Sequence, residues 1–143
     1  MGCSRHKLQA RKKQLETFSL DDDAELLTGQ SIVKFAFKNT EQPVTSWIEM
    51  YQKVIQILYA EDKTIITKLA ISKSDKISIY FSTNMNAFQR YIQLDDGIYL
   101  YKTSSTQSKL YVLKRLFELY NEDPAGLVFY LRDENESDSE SES

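Results

Sequence analysis

One histidine, His6, and one cysteine, Cys3, are all the chain offers for imidazole or thiol chemistry. A structural zinc site takes four Cys or His ligands and a helical HExxH site takes two histidines, so neither can be assembled within the chain. A Ser-His-Asp or Cys-His relay would have to recruit His6 from a basic N-terminal segment. Gly2, Gly29, Gly97 and Gly126 are scattered, which leaves no phosphate loop and no dinucleotide fingerprint. Asp95-Asp96 comes nearest to an acid/base carboxylate pair, but ahead of Gly97 it has the composition of a solvated turn. The expectation is a non-enzymatic chain with no catalytic residue, no cofactor and no metal.

Binding chemistry is better represented. If Ile77, Ile79, Phe81, Ile98, Leu100, Leu127, Phe129 and Leu131 face a core, strand alternation puts Tyr80, Tyr99, Tyr101 and Tyr130 on the opposite face. Lys34 and Lys38, from an earlier strand, fall beside them. Single-stranded nucleic-acid binders use such faces: rings stack on bases and ammonium groups hold phosphates. The RNA-recognition signature itself is missing. At Gly97-Ile98-Tyr99-Leu100-Tyr101 the aromatics have the wrong offsets and no basic residue precedes the glycine. Tyrosine also suits a half-exposed strand, or a face packed on another domain. A protein partner is therefore the leading expectation and nucleic acid the second. Met1-Gly2-Cys3-Ser4, followed by Arg5 to Lys13, has the form of a dually acylated membrane anchor. His6 stands where that acceptor pattern takes Ser or Thr, so membrane attachment ranks below the other two.

The elements that would position these residues follow from periodicity. Leu8, Leu15 and Phe18 fit a short basic helix, with a further turn over Ala24 to Leu27 closed by Gly29. Val33, Phe35 and Phe37 alternate with polar or small residues, predicting a strand that Pro43 interrupts. Ser46-Trp47-Ile48-Glu49 reads as a capping box, opening a helix with Trp47, Tyr51, Val54, Ile55 and Leu58 on one face. Ile65, Ile66 and Leu69 allow a second short helix. Alternation at Ile77 to Phe81 predicts a strand, residues 85–94 a further short strand or turn, and Asp96-Gly97 a turn into a strand over Ile98 to Lys102. Ser104-Ser105-Thr106-Gln107 reads as a second capping box, ahead of a stripe of Leu110, Leu113, Leu116, Phe117 and Tyr120. Pro124 and Gly126 stop that helix, and Leu127 to Leu131 forms a last strand. The predicted fold is α+β: a single sheet of order β-α-β-β-α-β, two main helices on one face and a short N-terminal helix.

Charge divides the chain into three parts. Residues 1–20 hold five basic residues against Glu16, and residues 132–143 hold Arg132 against six acids, while 21–131 is nearly neutral despite the net charge of −3. The expected organisation is a basic helical segment and linker at 1–29, an α+β domain at 30–132 and a disordered acidic tail at 133–143. No apolar run approaches the ~18 residues of a membrane span, and no secretory signal is present. With a single cysteine that cannot pair internally, a cytoplasmic location is expected.

The central block resembles the C-terminal accessory domain of GmrSD-type restriction and defence proteins, which carry an HNH nuclease. The likeness lies in Val33-Lys34-Phe35-Ala36-Phe37, Val44-Thr45-Ser46-Trp47, Ile79-Tyr80-Phe81-Ser82, Gly97-Ile98-Tyr99-Leu100 and Leu127-Val128-Phe129-Tyr130-Leu131. Upstream, Arg11-Lys12-Lys13-Gln14-Leu15 resembles the end of the preceding nuclease domain. The likeness covers about residues 30–132 and includes no catalytic motif. It implies a non-catalytic binding or scaffolding role in DNA restriction or defence, through contacts with protein or DNA.

Overall fold

The structure, a computed structural model, describes residues 16–132. His6, the Gly2 and Cys3 acylation pattern, the basic stretch to Lys13 and the acidic tail lie outside the described residues. In chain order the elements are β1 (Glu16–Ser19), α1 (Ala24–Leu27), β2 (Ile32–Phe37), β3 (Thr40–Pro43), α2 (Trp47–Glu61), α3 (Lys63–Ser72), β4 (Phe81–Ser82), β5 (Tyr91–Asp95), β6 (Ile98–Tyr101), α4 (Thr106–Leu119) and β7 (Val128–Leu131). Single 3₁₀ turns occupy Ser78–Tyr80, Met85–Ala87 and Pro124–Gly126. The class is α+β, but the strands form two antiparallel sheets where one was expected: β1-β7-β2-β3 and β4-β6-β5.

Turn chemistry explains much of the difference. After β2, Lys38 and Asn39 both take positive φ, 52° and 65°, the backbone of a tight hairpin. The chain folds straight back as β3, with Phe37 opposite Thr40. No glycine marks this turn, so periodicity alone misses the second strand. Lys38 is held there by Glu122 at 2.6 Å and Glu61 at 3.1 Å, and these two carboxylates raise its pKa. At the N-terminal side, Phe18 lies not in a helix but in β1, opposite Phe129. Leu20 and Leu27 are fully buried in the common core, so this segment is built into the fold.

The expected strand at Ile77 to Phe81 is also corrected. Asp75 accepts from the Ile77 amide at 3.2 Å and Ser78 Oγ accepts from the Asp75 amide at 3.2 Å. Such local side-chain bonds compete with a sheet ladder, and the chain turns in a 3₁₀ helix. Ile77 and Phe81 remain buried, but Ile79, expected in the core, is 70% exposed.

Both long helices form where their stripes predict. α2 buries Trp47, Met50, Tyr51, Val54, Ile55, Leu58 and Tyr59, touching β2 of one sheet, β5 of the other, and both α3 and α4. It is the wall the two sheets share. Their caps differ in detail. Ser46 Oγ accepts from the Glu49 amide at 3.3 Å, yet the Glu49 carboxylate reaches back to Thr45 N at 2.8 Å rather than to Ser46. α4 is capped by Ser105, which accepts from Ser108 N at 2.9 Å, one residue later than the sequence reading.

One buried group is out of keeping with this core. The Tyr51 hydroxyl is buried and has no hydrogen-bond partner among the described residues, and burial raises its pKa. An orphaned buried hydroxyl costs about 1–3 kcal/mol. Tyr51→Phe is expected to stabilise the fold by about 1 kcal/mol. Urea denaturation should show a higher midpoint at unchanged slope; a lower midpoint would mean the hydroxyl is paired.

Candidate functional site

The β5–β6 hairpin builds the site. Gly97, at φ 79°, supplies the turn, and Tyr91 pairs with Tyr101 across the ladder. One step further out, Lys102 N donates to Arg90 O at 3.0 Å, so Arg90 and Lys102 spring from facing positions. The 3₁₀ turn ending at Tyr80 and the segment from Ala87 to Arg90 close over the same end. Between them lies a cleft of about 480 Å³ lined by Ile79, Tyr80, Phe88, Arg90, Tyr101 and Lys102, with Ala87, Gln89 and Ser104 completing it.

Its floor is aromatic. Tyr101 is 37% exposed and has Phe88 at 5.4 Å and Tyr80 at 6.2 Å between ring centroids, inclined to it by 33° and 30°. Its charge is of one sign. Among the described residues no acid lines the cleft, and no ion pair reaches Arg90, Lys102 or the nearby Lys109. Lys109 is only 4% exposed, and its ammonium donates to Ser105 O at 3.4 Å. Burial lowers its pKa, and the positive Arg90 lowers it further. Stacking surface and uncompensated positive charge together suit a planar anion.

The residues singled out from the sequence do not form one face. Tyr80 and Tyr101 meet in the cleft. Tyr99 is 9% exposed, with Tyr91 edge-on at 5.3 Å. Tyr130 and Lys34 belong to the other sheet, where the ammonium sits 4.6 Å above the ring and pairs with Glu41 at 3.1 Å. Lys38 is committed to the β2–β3 turn. Of the carboxylate pair, Asp95 accepts from Tyr59 Oη at 2.7 Å, which lowers its pKa, and Asp96 is exposed. Among the described residues no group of three His, Cys, Asp or Glu side chains is placed to hold a metal ion. No helix among them is long and apolar enough to cross a membrane.

Phe88, Arg90 and Lys102 are functional candidates that sequence reasoning missed. A hairpin centred on Asp96-Gly97 in plain register sets Tyr91 against Lys102; the irregularity between Gln93 and Asp95 shifts the ladder by one, so that Tyr91 faces Tyr101 and Arg90 faces Lys102, and the turn signal alone does not show this. Compared with family models, curated proteins and solved structures, the chain finds no match in any of the three.

Proposed function

We propose that this domain is a non-catalytic binding module and that the cleft beside the β5–β6 hairpin is its ligand site. One observation carries this: among the described residues, three aromatic rings and two cations without an ion-pair partner line a single cleft, and no acid does. Such a surface binds by stacking and charge and asks for no nucleophile, base or metal. The setting implied by the sequence resemblance, an accessory part of a DNA restriction or defence system, is compatible with it. A second reading, a protein partner at the same rim, is favoured by Ile79, which lines the cleft at 70% exposure.

Adenosine monophosphate is the smallest probe that combines a ring with an anion. Stacking of about 1–3 kcal/mol with a phosphate–cation contact gives a Kd on the order of millimolar. In an amide NMR titration Phe88, Arg90, Tyr101 and Lys102 should shift together, more than with adenosine or inorganic phosphate alone. Unmoved cleft amides at about ten times that concentration would refute the assignment.

A further inference from the structure

We infer that the cleft accepts a segment of single-stranded nucleic acid, with bases stacked on Tyr80, Phe88 and Tyr101 and phosphates held by Arg90 and Lys102. The inference rests on the cleft being the domain's ligand site and narrows what that ligand is. Tyr80, Phe88 and Tyr101 pack on one another and line the cleft as one aromatic platform, which the bases of a single strand can extend. Bases inside a duplex have no free faces to present to them.

The cations point the same way. Arg90 and Lys102 face each other across the hairpin end, and like charges directly opposed in a sheet repel. Acids are plentiful along the chain, yet among the described residues none lines this cleft. A phosphodiester lying between the two side chains relieves the repulsion. Lys109, whose ammonium donates to Ser105 O and meets no described carboxylate, adds positive charge near Arg90. Exposed Ile79 supplies an apolar edge for a sugar or base. An acidic peptide would satisfy the cations but leave the ring faces unused.

The test uses the full chain and fluorescein-labelled oligothymidylate and oligouridylate of about twelve residues, read by polarisation at low salt. Expected is micromolar binding, with a duplex of equal length at least ten-fold weaker. For two phosphate contacts, log K should fall against log salt with a slope of about −1.4. Arg90→Ala with Lys102→Ala should weaken binding more than ten-fold and flatten that slope. Tyr101→Ala should weaken it about ten-fold at unchanged slope. Far-ultraviolet circular dichroism checks that each variant is folded, and Lys102→Gln, which keeps the stem, serves where the double variant fails.

Each adverse outcome is separable. Equal duplex binding, or variants that bind as wild type, overturns the inference. If neither oligonucleotide binds at about a hundred-fold the expected Kd while the adenosine monophosphate shifts persist, the nucleic-acid class fails and the cleft stands. A cleft that binds a protein partner but no oligonucleotide gives that same result. Loss of both signals removes both proposals.

Discussion

Phe129→Ala should cost about 4 kcal/mol, within the upper range for truncating a core aromatic residue. Phe129 is fully buried at the centre of β7, paired with Phe18 of β1 on one side and Phe35 of β2 on the other. Its ring also meets Trp47 of α2 edge-on at 5.2 Å and 71°. Truncation therefore opens a cavity where the larger sheet meets the central helix. Trp47 cannot move in to fill it without breaking the 2.9 Å bond from its Nε1 to Gln30 O. Against a total stability of roughly 5–15 kcal/mol, the loss lowers the urea midpoint by roughly 2–3 M. Tyr101→Ala, at a half-exposed ring outside this core, should change stability by less than about 1 kcal/mol. Similar losses at both positions would mean the core is misassigned.

The second large effect concerns Asp75 and Arg115, which tie the loop before the 3₁₀ turn to α4. The guanidinium grips the carboxylate through both Nε and Nη2, the latter at 2.7 Å, and the Asp75 side chain is 16% exposed. Asp75→Asn is expected to cost about 2 kcal/mol, less than a fully buried pair because Arg115 keeps Glu118 and contact with water. Its pH dependence has a definite sign. The Arg115 hydrogen bonds, opposed by burial and helped by the Ile77 amide, hold the Asp75 pKa below the ordinary carboxylate value. The stabilisation is present above an unfolded value of ~4 and is lost as pH falls through the lower folded value. Wild type should therefore lose more stability than Asp75→Asn on acidification below that point. Parallel curves for the two proteins would show that the pair contributes nothing.

The same loop shows where sequence reading stops. α2 and α4 are legible because their apolar stripes run for several turns, and β2 and β7 because alternation there meets a buried sheet. Ile77-Ile79-Phe81 alternates just as well, yet Asp75 and Ser78 bend it into a 3₁₀ turn by bonds that periodicity does not see. β1 and β3 escape notice for a related reason. They are four-residue edge strands whose exposure leaves almost no apolar pattern. With them unseen, four strands look like one sheet.

The site was half legible. Ring chemistry drew attention to Tyr80 and Tyr101, but alternation assigned them a flat face shared with Tyr99 and Tyr130. Tyr99 is covered, Tyr130 lies in the other sheet, and the cleft exists because a 3₁₀ turn carries Tyr80 over the end of the hairpin. The lysines went astray similarly. Lys34 and Lys38 are neutralised by Glu41, Glu61 and Glu122, whereas Arg90, in a segment without strong periodicity, and Lys102, at the end of an alternating strand, have no ion pair among the described residues.

Photo-cross-linking decides between these two surfaces in one measurement. Full-length protein is irradiated with 4-thiouridine-substituted single-stranded RNA, digested, and the adducts placed by mass spectrometry. The cleft account predicts adducts on Tyr101, Phe88 and Tyr80, suppressed by excess unlabelled oligouridylate. Adducts on Tyr130 and its neighbours around Lys34, with the cleft rings unmodified, would contradict it.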